Sequence, residues 1–321
     1  MTRDYRSAID AELHPLVDAM AARSAEGLTS LDDVRAMMRQ RSLDDLAEGV
    51  EGAERVDVAD RTVPGPPGAP EVPVRLYRPT GATGALPVLV MLHGGGFWLG
   101  DLEMVHRGCV RTADRVGCQV VSVDYRLAPE HPFPAGVEDC YAVTAWVAAQ
   151  AAELGVDPGR VAVGGGSAGG ALSAAVALMA RDRGGPALCF QQLVIPVIDD
   201  RMTSASMVEF TDTPMFNRPA AEMMWAFYLG ADHGDDVSPY AAPGRADDLT
   251  GLPPAYVETA EFDCLRDEGL EYGLALLRAG VSVELHNVPG TFHGSEMVHQ
   301  APASVRSFAA RDAALARAFG R

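Results

Sequence analysis

The chain has no lysine, and this absence excludes several kinds of chemistry. All 26 basic residues are arginines, against 44 acidic residues, which gives a formal net charge of −18. Without lysine the chain can form neither a pyridoxal phosphate Schiff base nor a Walker-type phosphate loop. A surface this acidic repels phosphate backbones and anionic headgroups, so we expect neither nucleic acid nor a membrane as a partner.

Cysteines are few, and long hydrophobic runs are absent. The five cysteines form no C-x-x-C pair, which favours buried thiols in a reducing compartment over a disulfide framework. No stretch reaches the ~18 apolar residues of a membrane span, and the first residues lack the apolar core of a signal peptide. We therefore expect a soluble, cytoplasmic protein. A homodimer is one assembly that the sequence permits.

From Leu86 onward, short apolar runs alternate with longer helical segments. This alternation is typical of a mostly parallel sheet with helices on both faces. The predicted strands are Leu86 to Leu92, Gln119 to Val123, Val161 to Val163, Leu188 to Ile195, Ala255 to Thr259 and Val281 to Leu285. The predicted helices are Pro134 to Leu154, Ala168 to Arg183, Asp267 to Ala279 and Ala303 to Phe319. Upstream, a turn cluster at Val63 to Gly68 separates two extended stretches, Arg55 to Val58 and Val72 to Tyr77.

Two segments depart from this alternation and define the predicted domain organisation. Residues 1–50 carry apolar positions at helical spacing and no visible chemistry. Residues 199–248 interrupt the α/β pattern with an apolar, aromatic helix. Such an insertion usually covers a site, although an ordinary packed helix pair would give the same pattern. The core is then expected to comprise residues 51–198 and 249–321.

Ser167 lies in a glycine-rich turn between a predicted strand and a predicted helix. Its neighbours from Gly165 to Gly170 are all glycine or alanine. A nucleophile on a tight strand-to-helix turn needs small neighbours, because its backbone is strained and the helix passes close to the strand. The same residues also fit a dinucleotide fingerprint, with glycines at 164, 166 and 169 and with Asp199 as a ribose ligand. The turn alone does not choose between the two interpretations.

A second glycine-rich segment favours the nucleophile. His93 to Gly96 directly follows a predicted strand and contains three successive glycines. Such glycines free backbone N–H groups to stabilise the oxyanion of an acyl-transfer intermediate. A dinucleotide site has no use for this segment. His93 itself is predicted to brace the loop rather than to act as a base.

Asp263 and His293 complete the chemistry, because each lies just beyond a predicted strand. The order Ser167, Asp263, His293 is that of an α/β-hydrolase triad. Two rivals are weaker: Asp267 opens a predicted helix and is interpreted as a capping acid, and His286 extends a strand. A metal site is disfavoured, because no two histidines stand four residues apart with a glutamate between them.

Together these motifs resemble the hormone-sensitive-lipase-like family of bacterial carboxylesterases, within the α/β-hydrolases. The later part of the chain is similar to a heroin-esterase-like subgroup. The matching segments are His93 to Phe97, Asp124 to Glu130, Phe133 to Ala135, the Ser167 turn, Asp263 to Glu268 and Pro289 to Ser295.

The resemblance implies an eight-stranded sheet, a helical cap formed by the two segments described above, and an oxyanion hole from Gly95, Gly96 and Ala168. Two positions depart from the family pattern. Gly166 stands where an acid is common before the nucleophile, and Cys264 stands where proline is usual after the acid.

The resulting hypothesis is a serine esterase for small-molecule, short-chain esters of alkyl or aryl alcohols, with no metal or cofactor. In this hypothesis His293 is the base, Asp263 orients it, and Ser167 forms an acyl-enzyme. An amidase or a lactonase would use the same triad, because the triad does not select the leaving group. A non-catalytic ligand-binding protein on the same fold is disfavoured, because the histidine is intact.

Overall fold

The computed structural model describes residues 5–23, 30–231 and 234–321. Residues 1–4, 24–29 and 232–233, which belong to the predicted N-terminal segment and the predicted insertion, lie outside the described residues. The described helices are α1 His14–Arg23, α2 Leu31–Ala47, α3 Leu102–Val116, α4 Ala135–Ala149, α5 Ala151–Leu154, α6 Ala168–Asp182, α7 Ala205–Glu209, α8 Arg218–Leu229, α9 Arg266–Arg278 and α10 Pro302–Ala318.

The strands form one eight-stranded sheet in the order β1-β2-β4-β3-β5-β6-β7-β8. The first two pairings, β1 with β2 and β2 with β4, are antiparallel, and the others are parallel. The predicted mostly parallel sheet is therefore confirmed. The strand bounds are β1 Val56–Val63, β2 Val72–Pro79, β3 Leu86–Leu92, β4 Gln119–Val123, β5 Val156–Gly166, β6 Phe190–Val194, β7 Ala255–Phe262 and β8 Val283–Phe292.

Helices cover both faces of the sheet because successive side chains of the central strands point in opposite directions. Along β3, Val88 and Val90 join the cluster that contains α4 and α6. Leu89, between them, joins the cluster that contains α3 and α10. All three side chains are fully buried. Since both faces are covered, functional groups are left to the carboxyl ends of the parallel strands.

One local prediction was wrong, and one helix was not predicted. Val63 belongs to β1 rather than to a turn, because its buried side chain lies opposite Val72 in a long hairpin. Helix α3 was not predicted at all. Its ends nevertheless carry ordinary signals: the Asp101 carboxylate accepts the N–H groups of Glu103 and Met104, and Gly117 ends the helix at φ 68°.

Burial accounts for the cysteines. All five are free thiols, and only Cys189 is partly exposed. Burial raises the pKa of the Cys109 thiol to about 12, so this residue stays an uncharged, inert thiol. Among the residues that the structure describes, no helix has the length and apolar character needed to cross a bilayer.

Candidate active site

Ser167 occupies a strained turn between β5 and α6. Its backbone has φ 57° and ψ −120°, a conformation that non-glycine residues rarely adopt. The Ser167 N–H group donates to the Val194 carbonyl at 2.8 Å, which ties the turn to the end of β6. A Cβ on Gly165 would lie 2.2 Å from the Leu92 carbonyl oxygen, so glycine is required where the turn passes the end of β3.

A continuous hydrogen-bond chain joins Ser167, His293 and Asp263. His293 Nε2 lies 3.0 Å from Ser167 Oγ, and Nδ1 lies 2.7 Å from Asp263 Oδ2. A carboxylate only accepts hydrogen bonds, so Nδ1 donates its proton and Nε2 accepts from the serine hydroxyl. The other Asp263 oxygen accepts the Leu265 N–H at 3.0 Å. The structure thus brings the three predicted residues together in the order that base-assisted nucleophilic attack requires.

Burial and charge act in opposite directions on the base. His293 is 6% exposed and Asp263 is fully buried. Burial alone would lower the pKa of His293, but the charge and hydrogen bond of Asp263, with a smaller contribution from Glu296, raise it above the ordinary histidine value. Asp263 therefore favours the protonated form of the His293 imidazole.

The glycine loop lies directly against the nucleophile. A Cβ on Gly94 would stand 3.5 Å from the Ser167 Cβ, and Gly95 and Gly96 have φ values of 108° and 60°. Ala168 begins α6, so its N–H has no acceptor within the helix. Ala168 thus directly follows Ser167, and Gly95 and Gly96 follow the glycine that lies against it.

His93 stabilises this loop, in agreement with the prediction. Its buried ring stacks on Tyr125 with 4.1 Å between ring centroids, and Nδ1 donates to the Gly94 carbonyl at 2.7 Å. The Tyr125 hydroxyl donates to the His93 carbonyl at 2.8 Å. Burial lowers the pKa of His93 to about 4, so the ring is neutral near pH 7.

The segment between α7 and α8 contacts the imidazole of His293; the sequence predicted that this insertion covers a site but not which of its residues do so. The ring of Phe216 lies 4.8 Å from the His293 ring, tilted by 34°. Met215 stands before it at φ 67°, within a tight turn closed by a 2.8 Å hydrogen bond from Phe216 N–H to the Pro214 carbonyl. A Cβ on Gly294 would be 3.4 Å from Met215 Cγ. An aromatic ring therefore contacts His293, and a methionine lies beside the next residue.

The rival residues have other partners. Asp267 was interpreted as the cap of its own helix, and this is wrong: its carboxylate accepts the N–H of Ser206 in α7 at 2.8 Å. His286 lies inside β8 and contacts Glu284 at 2.9 Å. Asp199, the alternative ribose ligand, accepts two hydrogen bonds from the Arg201 guanidinium, at 2.7 and 2.8 Å. Asp263 is thus the acid that contacts His293.

The chain belongs to the α/β hydrolase fold family, whose model matches residues 89–297. A solved structure of a bacterial heroin esterase is similar, with a TM-score of 0.92 and 45% identity over 98% of each chain. Esterase LipW from Mycobacterium marinum has a TM-score of 0.87 and 42% identity, over 99% of this chain and 98% of that one. Carboxylesterase NlhH of Mycobacterium tuberculosis is 44% identical over 90% of this chain and 89% of its own. The resemblance predicted from the motifs is confirmed.

Proposed function

We propose that the protein is a carboxylic ester hydrolase that cleaves short-chain acyl esters of alkyl or aryl alcohols through an acyl-enzyme on Ser167. One observation carries this proposal: Ser167 Oγ, His293 and Asp263 form a buried hydrogen-bond chain with distances of 3.0 and 2.7 Å. The esterases and carboxylesterase to which the chain is similar support the same chemistry.

The reaction proceeds in two half-reactions. His293 Nε2 takes the Ser167 proton as Oγ attacks the ester carbonyl, and Asp263 stabilises the resulting imidazolium. His293 then gives that proton to the departing alcohol, which leaves an acyl group on Oγ. A water molecule activated by the same nitrogen hydrolyses the acyl-enzyme and restores the serine. No step calls for a metal or a cofactor.

The oxyanion of each tetrahedral intermediate is proposed to lie between Gly95, Gly96 and Ala168. The two glycines supply N–H groups from a loop that His93 and Tyr125 hold in place. The Ala168 N–H belongs to the first turn of α6, where the helix dipole also favours negative charge. Removing one donor of this kind typically costs ~3 kcal/mol of transition-state stabilisation.

Residues 1–50 and 199–248 are proposed to form the cap over this site, with residues 51–198 and 249–321 as the catalytic core. Phe216 and Met215 of the insertion contact His293 and the adjacent Gly294 position. Met224, also in the insertion, lies 3.3 Å from the Cβ position of Gly96. These contacts place apolar side chains beside His293 and beside the glycine loop, which supports a preference for small acyl groups.

The test is a p-nitrophenyl ester series from C2 to C12 acyl chains, with wild type and Ser167→Ala. We expect the highest kcat/KM at the short end and a loss of about 10⁴-fold or more in kcat for the variant. Ser173→Ala is the matched control, because its hydroxyl donates within α6 to the Gly169 carbonyl. Activity retained in Ser167→Ala would refute the mechanism, and a long-chain optimum would refute the substrate class.

The same preparations distinguish an esterase from an amidase or a lactonase. p-Nitroacetanilide presents the same acetyl group on an amine leaving group, and a simple lactone presents a cyclic ester. We expect kcat/KM for p-nitrophenyl acetate to exceed both. A higher value for the anilide or the lactone would reassign the activity while leaving the triad in place.

A further inference from the structure

Strand β8, which ends directly before His293, pairs irregularly with β7 near that end. Up to Ala260 and Val288, β7 and β8 pair residue by residue, and pairing resumes at Phe262 and Phe292. Between these two pairs β7 contains one residue, Glu261, whereas β8 contains three, residues 289–291. Extra residues in one strand form a bulge, which bends that strand and redirects the side chains that follow. Such a bulge is uncommon between parallel strands.

The backbone groups of this bulge are paired by partners outside the ladder. Glu261 Oε2 accepts the N–H of buried Gly290 at 2.8 Å. The Gly290 carbonyl accepts the N–H of Asp10 at 2.9 Å, and the Thr291 hydroxyl donates to the Val288 carbonyl at 2.7 Å. A buried N–H without an acceptor is costly, so the Glu261 carboxylate is a condition for the bulged geometry.

Glu261 therefore connects the two segments that present the acid and the base. It stands two residues before Asp263, and its partner Gly290 stands three residues before His293. Beyond the bulge, Phe262 faces Phe292, so the next residues of the two strands are Asp263 and His293, whose side chains meet at 2.7 Å. Without the two extra β8 residues, the histidine would be out of register with its acid.

We propose that Glu261 is a positioning residue for His293, because its carboxylate holds the Gly290 amide and thereby sets the register that places the imidazole against Asp263. This inference rests on the proposed function, since it concerns the base of the same reaction. It assigns Glu261 no contact with substrate.

The charged groups near Glu261 make their contacts with other atoms than its carboxylate oxygens. Arg266 Nη1 donates to the Glu261 backbone carbonyl at 3.0 Å, while its guanidinium pairs with Asp267. The Asp10 carboxylate lies beside Gly290, close to where a Cβ would stand. Glu296 is a further acid near His293. The Glu261 carboxylate is thus left to act as a hydrogen-bond acceptor for the Gly290 amide.

Three substitutions of Glu261 test separately whether its side chain needs an acceptor oxygen, a negative charge and its full length. Glu261→Gln keeps a side-chain oxygen at the same distance from the Gly290 N–H, and we expect kcat within about threefold of wild type. Glu261→Ala removes the acceptor, and Glu261→Asp withdraws it by one methylene. For both we expect kcat to fall about 10- to 100-fold with KM little changed, because the loss is one of alignment.

Glu284→Ala is the matched control. Glu284 is a glutamate of the same strand pair, but it lies near the start of β8, opposite Tyr256, and pairs with Arg317 and His286. We expect wild-type kcat and KM for this variant. Active sites are counted by titration with an organophosphate that releases p-nitrophenol, so that kcat refers to folded, competent enzyme.

Two readouts separate positioning from general loss of stability. In Glu261→Ala and Glu261→Asp, the hydrogen bond between His293 and Asp263 should be weaker. The acid limb of the pH profile of kcat/KM should therefore move to lower pH. The downfield proton resonance of the His293 Nδ1–H should also shift or broaden, and it is measured without substrate. The inference is overturned if both readouts stay at wild type in these variants, or if Glu261→Gln loses as much activity as Glu261→Ala. A wild type without esterase activity would refute the proposed function alone, since the resonance still tests Glu261.

Discussion

Arg35 of α2 holds Glu130 through two hydrogen bonds of 2.7 and 2.8 Å, although 95 residues separate them in the chain. The same guanidinium donates to the carbonyls of Trp98, at 3.0 Å, and Ala128, at 2.8 Å. Trp98 follows the glycine loop by two residues. The Arg35 hydrogen bond lowers the pKa of Glu130 to about 2. One side chain thus connects helix α2 to the segment that follows the glycine loop.

The two halves of this contact should differ in their effect on stability. Glu130 is half exposed, so Glu130→Ala should lower the free energy of unfolding by no more than about 1 kcal/mol. Arg35→Ala also leaves two backbone carbonyls without their donor and should cost about 1–3 kcal/mol more. Urea unfolding of both variants measures the difference. Equal losses would show that the carbonyl contacts contribute nothing.

The pH profile should show the effect of Asp263 on His293. The base must be neutral to accept the serine proton, so kcat/KM should fall as pH drops through the pKa of His293, which lies above the ordinary histidine value of 6.5. The contribution to folding has the opposite sign. A raised pKa stabilises the fold below the unfolded-state pKa, and this stabilisation is lost as pH rises through the folded value.

Asp263→Asn tests the cause of that shift. The variant keeps the size of the side chain but removes the charge, so the acid limb should move to lower pH and kcat should fall by about 10⁴-fold. A pH–rate profile of kcat/KM for wild type and variant measures both effects. An unchanged acid limb in Asp263→Asn would mean that another group sets the pKa of the base.

Two glycines of the nucleophile turn should respond differently to alanine. A Cβ on Gly169 would stand 2.0 Å from the Leu92 carbonyl oxygen, and backbone atoms cannot yield easily, so Gly169→Ala should cost at least about 3 kcal/mol. The nearest atom to a Cβ on Gly166 is 3.9 Å away. The free energy of unfolding of Gly166→Ala should therefore be within about 0.5 kcal/mol of the wild-type value. Thermal and urea unfolding provide the comparison.

Adjacent methionines of α8 offer a matched test of the proposed cap. Met224 is fully buried beside Gly96, whereas Met223 is 41% exposed. Met224→Ala should open space beside Gly96, shift the p-nitrophenyl ester optimum toward longer acyl chains and cost about 2–5 kcal/mol of stability. Met223→Ala should leave the chain-length profile and the stability unchanged. Identical profiles for the two variants would remove Met224 from the site.

The sequence predicted those residues whose roles can be inferred from their immediate neighbours in the chain. Ser167 has glycines on both sides, and His293 follows a strand end within a glycine-flanked turn, so each could be found by inspection of a few neighbours. The mostly parallel sheet was equally predictable, because buried strands are continuous apolar runs. Helix α3 was missed although its Asp101 and Gly117 caps and the helical spacing of its buried residues are all visible in the sequence.

Arg35, Phe216 and Glu261 could not be predicted in this way, because their roles depend on partners far along the chain. Nothing near Arg35 indicates that it reaches Glu130, and Phe216 resembles any other apolar residue of the insertion. The interpretation of Asp267 failed for the same reason. The position of Asp267 at the start of a helix predicted that it caps that helix. Its carboxylate instead accepts the N–H of Ser206, 61 residues away.

The hydrogen bond from Asp10 to Gly290 connects residues from the two ends of the chain. During synthesis Asp10 and Ser167 leave the ribosome before Gly290 and His293. The nucleophile of the proposed mechanism is therefore made before its base. A chain that stopped before β8 would hold Ser167 without the histidine that the proposed mechanism needs to activate it.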